Sequence, residues 1–521
     1  MTREVEVFFE KLGNWEKQFS QVTYDHEKYC GDTADIFRMQ AEKDVSGLSS
    51  FWQEKGGEDN FELMHPTESV KTRAVHSVQH GMANFVFLVD KSGQNLWIIA
   101  QCELFINLAI TQNTIYRNSY GNAAPIFSQL SKLADLNANY LTFKEMDFGF
   151  LLSQTRPYHF FYDQLKVLLS LDSAKFVANS KSFFYLRDAE ILDKHSQVFF
   201  FPNTIGNNYL NQKSNATIKK ANEHMEETVY KKSMLIFDLV VGGSNEIYDL
   251  VIWLGVTGQK RSWLQQVDGY VEIIIQLKKE FPAIIVYIDG MTATDGSTLS
   301  NLEDEVVFDQ IREALENEKG VELVSLIGQD YRTKICHCDT TDIFIANAGT
   351  GCMVPLRFNK KPGVLHSNHK LFTFPDNYPD SVKRTAKNLT IDLDLDDSQR
   401  PDFLSYHIPW QHIFNLTAEV LNQTKGTNIE LLKVPSVKEV SKTYEVQVNL
   451  KTNDLTALKS LENRIQPNYE SPDILREVAL AFELSGDIVT ALSVMQAALK
   501  LRPNGPLIKK KAAEYEERLK R

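Results

Sequence analysis

The chain has 521 residues, of which 43% are hydrophobic and 24% charged, and its net charge is −12. This length allows about two to four domains, and the composition is typical of a globular protein with a large core. The acidic balance disfavours nonspecific binding to nucleic acid or to anionic membranes.

The apolar runs and the cysteines favour a cytoplasmic protein without a membrane segment. Residues 1–7 lack the apolar stretch of a secretory signal, and the longest apolar run, 96–110, contains polar residues. The five cysteines are therefore expected to be reduced thiols. Cys336 and Cys338 flank His337, but the two spaced ligand pairs of a zinc site are missing, so no metal is expected.

The first half of the chain is expected to hold two parts. Helix-like spacing of apolar residues predicts a helical segment over residues 1–60. Residues 61–232 are expected to form an α/β domain. Within it, two apolar runs at 84–89 and 96–100 flank a glycine-containing turn and predict a β-hairpin.

A strand followed by a polar helix start predicts a substrate-side site near residue 156. Apolar residues 150–152 indicate a strand, and Pro157 suits the first turn of a helix. Open α/β sheets bind ligands at such strand ends, which makes Arg156 and Tyr158 candidate substrate-binding residues. His159 and Asp163 are four residues apart and can share a helix face as a catalytic His–carboxylate pair. The alternative is that His159 only packs among its aromatic neighbours.

From residue 233 onwards, apolar strands alternate with amphipathic helices. Strands are predicted at 248–256, 283–288, 321–327, 343–346 and 364–366, with helices at 263–279 and 303–318. Such alternation implies right-handed βαβ crossovers and a parallel, doubly wound sheet. The predicted fold class is therefore α/β, with a Rossmann-like domain over residues 233–425.

Three loops of this domain are expected to meet at one edge of the sheet, because the carboxyl ends of parallel strands converge. One loop carries cations directly after a glycine, one carries a strand-end carboxylate, and one carries glycines whose amides can face an anion. The candidate nucleotide-binding residues in these loops are Thr257, Gly258, Lys260, Arg261, Asp289, Asn347, Gly349, Thr350 and Gly351.

The C-terminal region, residues 426–521, is predicted to be helical. Positions Phe482, Gly486, Ala491, Ala498 and Pro503 fit the spacing of a tetratricopeptide repeat. One repeat does not form a solenoid alone, so it is expected to pack on the chain, pair with another subunit or bind a partner. A plain helical hairpin is the alternative.

Residues 233–370 resemble the nucleotide-binding domain of GT-B glycosyltransferases, chiefly bacterial polysaccharide-forming or protein-modifying members. The stretches that carry the resemblance are 253–261, 287–292 and 342–351, and 156–163 looks like an acceptor-side motif. The resemblance implies two Rossmann-like lobes facing a cleft. By similarity, Lys260 and Arg261 hold the diphosphate of a nucleotide sugar and the Gly349 loop faces its phosphates. A histidine that precedes the glycines in a loosely similar family is Asn347 here.

The resulting hypothesis is a glycosyltransferase that moves a sugar from a nucleotide donor to a hydroxyl of a glycan or protein. Lys260, Arg261 and the amides of the glycine loop would stabilise the leaving diphosphate without a metal or other cofactor. His159, oriented by Asp163, would deprotonate the acceptor hydroxyl. The donor nucleotide, UDP, GDP or CMP, stays open.

Two other classes of function compete with this hypothesis. A non-catalytic scaffold would use a degenerate α/β domain and the helical C-terminus to bind protein partners or a second copy of the chain. A Rossmann oxidoreductase would need Gly-x-Gly-x-x-Gly after the first strand, which Gly255 to Gly258 does not provide.

Overall fold

A computed structural model describes most of the chain in segments. These are residues 3–42, 44–56, 61–80, 83–102, 105–118, 123–135, 147–152, 156–166, 169, 176–178, 197–200, 215–242, 248–258, 261–372, 375, 378–392, 404–435, 472–484, 486–503 and 505–520. The chain divides into two compact units. One comprises residues 1–229 with 294–296, and the other comprises residues 230–293 with 297–521.

The first unit is built on a seven-stranded, mainly antiparallel sheet. Its strands are β1 (Ser20–Thr23), β2 (Glu62–Met64), β3 (Lys71–His80), β4 (Ala83–Asp90), β5 (Trp97–Cys102), β6 (Phe105–Ile110) and β7 (Thr114–Arg117), in the spatial order 1-7-6-5-4-3-2. Only β1 pairs in parallel, with β7. The predicted hairpin is confirmed as β4 and β5, whose register places Phe87 opposite Ile98.

This main sheet is mainly antiparallel, whereas a Rossmann-like first lobe was predicted, whose sheet would be parallel. Neighbouring strands here run antiparallel because short turns connect them directly, and such turns cannot make parallel crossovers. Parallel pairing occurs in a smaller sheet of β8 (Asp147–Leu152), β9 (Phe176–Ala178) and β10 (Gln197–Phe200), in the order 10-8-9.

Helices of the first unit supply the apolar faces that the main sheet buries. They are α1 (Arg3–Gly13), α2 (Trp15–Gln18), α3 (Asp32–Glu42), α4 (Val45–Gly56) and α5 (Ala124–Leu130). Phe8 and Leu12 of α1 pack with Phe85 and Phe87 of β4 in one core. Beyond β8, Pro157 begins a helical turn, as predicted, which continues as a π-helical segment over Phe160–Leu165.

The second unit contains a six-stranded, fully parallel sheet. Its strands are β11 (Leu250–Gly255), β12 (Ile284–Asp289), β13 (Val321–Ser325), β14 (Ile343–Asn347), β15 (Gly363–His366) and β16 (Val382–Arg384), in the order 13-12-11-14-15-16. Counted within the unit, this order is 3-2-1-4-5-6, that of doubly wound nucleotide-binding folds. The predicted parallel α/β sheet is therefore confirmed for this unit.

The helices of this unit are α6 (Asn215–Met234), which begins in the first unit, α7 (Phe237–Val240), α8 (Gln266–Leu277), α9 (Leu302–Leu315), α10 (Tyr331–Asp339) and α11 (Trp410–Thr424). A two-stranded ribbon joins β17 (Ile391–Asp392) to β18 (Tyr406–His407). The core packs Ile252 and Ile345 of the sheet against Tyr270 of α8 and Ile311 of α9. Helix α10 and strand β16 were absent from the sequence prediction.

The C-terminal region forms three helices, α12 (Pro472–Leu484), α13 (Ile488–Leu501) and α14 (Pro506–Lys520). Phe482, Ala491 and Ala498, three of the predicted repeat positions, are buried in their shared core. Gly486 has a φ of 82°, a left-handed conformation that suits the turn between α12 and α13. A helical hairpin followed by a third helix is thus established, and its kinship with tetratricopeptide repeats stays an interpretation. The predicted domain boundaries at 60, 232 and 425 also stay predictions.

Candidate functional site

The central feature of the second unit is the point where its strand order reverses. Strand β11 lies between β12 and β14, so the crossover from β11 runs to one side of the sheet and later crossovers run to the other. Loops that follow β11 and β14 then leave the same edge in opposite directions. A crevice forms at such a position in open α/β sheets, and ligands bind there.

Among the residues that the structure describes, the turn after β14 has backbone donors without an acceptor. Gly349 has a φ of 121°, which suits glycine alone, and Thr350–Cys352 then form a 3₁₀ turn that leads into a π-helical segment, Met353–Phe358. First-turn amides of a helical segment have no internal partner. Within the described part of the chain, the amides of Thr350 and Gly351 have no acceptor.

Arg261 lies directly against this turn. A Cβ atom built on Gly349 would approach the two terminal guanidinium nitrogens of Arg261 to 2.8 and 2.9 Å. Arg261 has a φ of 53°, which is costly for a residue with a side chain, and its buried Nε atom has no partner among the described residues. A positive charge and free amides are therefore adjacent, as predicted for Arg261 and Gly349.

Asn347 is a second polar side chain whose hydrogen bonds are unmet. It ends strand β14, it is 2% exposed, and both its Oδ1 and its Nδ2 lack a partner among the described residues. Its Oδ1 lies 2.2 Å from the position of a Cβ built on Gly351, so it is adjacent to the turn. Buried polar atoms are usually hydrogen-bonded, to protein, to an ordered water or to a ligand, so the Asn347 side chain is able to bind a group placed at the turn. Asn347, Arg261 and the turn amides form a compact set suited to an anion that also carries hydroxyls.

The loop after β11 uses its own amides internally. The Thr257 amide donates to Gln266 Oε1 at 3.1 Å, and the Gly258 amide donates to Asp304 Oδ1 at 2.7 Å. Asp304 Oδ2 also accepts the Met291 amide at 2.7 Å, so one buried carboxylate connects the loops after β11 and β12. The amides of Thr257 and Gly258 are thus occupied by protein acceptors, and their predicted contact with a ligand stays a prediction.

Asp289 ends strand β12 and is paired inside the protein. Its carboxylate lies 2.6 Å from Nζ of Lys334, whose side chain is fully buried. Lys334 also donates to the carbonyl oxygens of Gly290 and Met291, each at 3.0 Å. Burial raises the pKa of Asp289, while the charge of Lys334 opposes the shift. The pair fixes the loop after β12, and the predicted contact of Asp289 with a sugar hydroxyl stays a prediction.

A buried network lies behind the site at the end of β15. His366 Nδ1 is 2.7 Å from the hydroxyl of Tyr406, and Nε2 is 3.3 Å from the hydroxyl of Tyr270. Tyr270 donates onward to the Gly255 carbonyl at 2.7 Å. Burial lowers the pKa of His366 to about 3, so the ring is neutral and donates through one nitrogen only. No pattern in the sequence predicted this network, because its members are far apart in the chain.

The other predicted residues lie elsewhere or outside the description. Lys260 lies outside the described residues. Arg156, Tyr158 and His159 lie in the first unit, where Arg156 is exposed. The ring of Tyr158 stacks on that of Tyr162 with 4.9 Å between the ring centroids. The ring of His159 packs edge-on against Tyr158 with 5.9 Å between the centroids. The side chain of Asp163 is not described, so the proposed pair with His159 stays a prediction.

Among the described residues, no group of three His, Cys, Asp or Glu side chains converges on a metal position. No described helix combines the length and the apolar character that crossing a membrane requires.

Comparisons with known proteins add little. No protein-family model matches the chain, and no curated protein matches it. Among solved structures, a mutant of S. aureus TarM in complex with fondaparinux, alpha-GlcNAc-glycerol and UDP is 10% identical. That match covers 70% of this chain and 82% of the other, with a TM-score of 0.15. So low a score does not describe a shared fold, and the match carries no weight for this chain.

Proposed function

We propose that the second unit binds a nucleotide sugar at the turn after β14 and that the chain is a metal-independent glycosyltransferase. The observation that carries the proposal is the set of polar groups at Asn347, Arg261 and the Gly349–Gly351 turn that have no partner among the described residues. They lie where the strand order of a 3-2-1-4-5-6 sheet reverses, which is the ligand position of such sheets.

The chemistry of these groups suits a leaving diphosphate. Transfer of the sugar places negative charge on the departing phosphate oxygens. The guanidinium of Arg261 and the amides of Thr350 and Gly351 would stabilise that charge without reorganising, because they are already oriented. Lys260, next in the chain, would add a second cation. The unpaired amide of Asn347 can exchange hydrogen bonds with a hydroxyl of the donor.

In this proposal, residues of the first unit bind and activate the acceptor. His159, with Asp163 as its orienting partner, would take the proton from the acceptor hydroxyl, and Arg156 and Tyr158 would bind the acceptor. UDP, GDP and CMP donors all satisfy the phosphate contacts described here, so the base stays open.

A second candidate is a non-catalytic protein that binds polypeptide partners. The observation that favours it is the internal bonding of the neighbouring loops: Asp304 occupies the Gly258 amide and Lys334 occupies Asp289. A transferase loop is expected to keep more of its donors for substrate. Binding of a nucleotide sugar without turnover would support this candidate.

The proposal is tested by ligand binding to a glycine variant. In Gly349→Ala, the new methyl group would meet the Arg261 guanidinium, and the alanine would be held at a strained φ. We expect this variant to bind UDP-, GDP- or CMP-sugars at least about tenfold more weakly than the native chain by titration calorimetry, because one lost charged contact is worth that much. Gly426→Ala is the matched control, since Gly426 also has a positive φ but no atom within 4 Å of an added Cβ.

Two outcomes would decide against the proposal. If none of the three nucleotide-sugar classes raises the melting temperature of the native chain, no donor site exists. If a donor binds but is never consumed with glycan or peptide acceptors, and His159→Ala changes nothing, the partner-binding candidate replaces the transferase.

A further inference from the structure

Strand β16 ends in an arginine at the ligand edge of the parallel sheet. Arg384 is the last residue of β16, and the pairing of β14, β15 and β16 aligns it with Leu365 and Ala346. Neighbouring strands of a sheet lie about 4.8 Å apart, so Arg384 is about 10 Å from Ala346, the residue before Asn347. Arg384 is half-buried. A guanidinium therefore lies on the same edge as Asn347 and the turn after β14.

The side chain of Arg384 extends from β16 towards the end of β15. Its Nη1 lies 3.5 Å from Oγ of Ser367, the residue that follows β15, and its Nη2 lies 3.4 Å from the Pro375 carbonyl oxygen. Its guanidinium also lies 5.5 Å from the ring centroid of Phe372 and 5.3 Å from that of Tyr378. Aromatic faces attract a guanidinium, so both rings help to orient it. A guanidinium has five N–H donors, more than these contacts use.

The thiol of Cys352, within the turn after β14, lies in the electrostatic field of three arginines. Its Sγ is 3.1 Å from the Gly349 carbonyl oxygen, so the thiol lies against the turn. Burial raises the pKa of Cys352, and the charges of three arginines oppose this shift: Arg357, Arg384 and Arg261. The positive charge of Arg384 therefore acts on the turn as that of Arg261 does.

The three arginines differ in their position relative to the amides of the turn. Arg357 lies in the last turn of the π-helical segment Met353–Phe358, which leads away from those amides. Arg261 follows β11 and Arg384 ends β16, and these two strands lie on opposite sides of β14. Both are at the carboxyl edge of the sheet, where open α/β sheets bind ligands. Arg261 and Arg384 thus come from the two sides of the turn.

We propose that Arg384 is a second phosphate-binding residue of the donor site. Arg261 would bind one phosphate of a diphosphate and Arg384 the other, with the turn amides between them. A guanidinium binds phosphate oxygens through two parallel N–H bonds, so a pair of guanidiniums suits a pair of phosphates. The inference rests on the nucleotide-sugar site proposed above and narrows its ligand. UDP- and GDP-sugars contain a diphosphate and should bind better than CMP-sugars, which contain a single phosphate.

The test measures nucleotide affinities of the full chain by titration calorimetry. The probes are pairs that share a base and differ by one phosphate: UDP and UMP, GDP and GMP, CDP and CMP. For the base that binds, we expect the native chain to prefer the diphosphate at least about tenfold, because one charged contact is worth that much. Arg384→Gln should remove most of this preference by weakening the diphosphate, with the affinity for the monophosphate little changed. Arg384→Lys keeps the charge without the planar fork and should retain part of the preference.

The matched control variant is Arg312→Gln. Arg312 lies in the last turn of α9, and its guanidinium is also next to an aromatic ring, 5.6 Å from the ring centroid of Phe308, but its side chain is 63% exposed. This variant loses the same charge and a similar ring contact, and it should bind both members of each pair as the native chain does.

Three results would overturn the role of Arg384 and leave the donor site in place. They are equal binding of diphosphate and monophosphate by the native chain, equal weakening of both by Arg384→Gln, which is the sign of a purely structural residue, and loss of the preference in Arg357→Gln but not in Arg384→Gln. If no nucleotide of any pair binds the native chain, the donor site itself is refuted, and this inference with it.

Discussion

His366 is a buried histidine of the second unit with protein groups on both ring nitrogens. It is 2% exposed, and the hydroxyls of Tyr270 and Tyr406 lie on its two ring nitrogens. Because Tyr270 donates its own proton to the Gly255 carbonyl, the ring donates to Tyr270 and accepts from Tyr406. A neutral ring satisfies both contacts, and burial disfavours the charged form of the ring.

This environment makes the stability of the protein depend on pH. The pKa of His366 is about 3 in the folded chain, against about 6.5 when unfolded. Between these values the unfolded state binds more protons, so the free energy of unfolding falls as the pH drops below about 6.5, by up to about 1.4 kcal/mol per pH unit. His407, whose pKa is also lowered by burial to about 3, adds in the same direction.

In His366→Gln, the slope of unfolding free energy against pH between about 6 and 4 should decrease, as measured by urea denaturation. His224→Gln is the control, because His224 is exposed on α6 and its replacement should leave the slope unchanged. An unchanged slope in His366→Gln would mean that His366 titrates alike in both states.

At the scale of elements, the C-terminal helices are attached to α8 by ion pairs. Arg476 of α12 bonds to Asp268, and Arg502 Nη2, after α13, lies 2.6 Å from Glu272 Oε1. Asp268 and Glu272 are four residues apart on α8, so they share one face. Burial raises the pKa of Glu272, and Arg502 opposes the shift. Helix α8 also provides Gln266, which donates to the Thr257 carbonyl in the loop after β11.

Asp268→Asn should loosen the attachment, because Arg476 and Arg502 would both lose the buried carboxylate that they approach. Removing one partner of a buried pair costs about 3–5 kcal/mol. The expected result is faster limited proteolysis between α12 and α14, with the sheet of the second unit still protected. Glu280→Gln, an exposed position after α8, is the control. Equal cleavage rates in Asp268→Asn and the native chain would show that apolar packing alone attaches the helices.

At the scale of the molecule, each unit has a core of its own. Phe8, Phe85 and Ile98 belong to the core of the first unit, whereas Ile252, Tyr270 and Ile345 belong to that of the second. The three C-terminal helices add a smaller core to the second unit. A compact unit with its own apolar core can in principle fold alone.

A chain of residues 230–521 should therefore unfold cooperatively, as followed by circular dichroism, and should bind a nucleotide sugar with an affinity close to that of the full chain. The sheet, the Gly349 turn and Arg261 all lie within it. A gradual melt, or loss of all nucleotide binding in a piece that does fold, would show that residues of the first unit complete the site.

The sequence by itself determined the local elements of the second unit. The strands that became β11, β12 and β14, and helices α8 and α9, were predicted to within a few residues, because periodicity and glycine turns are local signals. It also placed Arg261 and Gly349 at one edge, since parallel strands end together. Helix α10 was missed, although Asp330 caps it through the Thr333 amide, because its apolar positions are few.

Only the tertiary structure decided which polar groups of the predicted site remain available to a ligand. The Gly258 amide is occupied by Asp304, 46 residues away, and Asp289 is occupied by Lys334 of the missed helix. The pairing of β1 with β7 in the first unit, which joins residues 20–23 to residues 114–117, was equally unpredictable from the sequence. Pairings between distant residues depend on where the chain folds back, and no short stretch of sequence encodes that position.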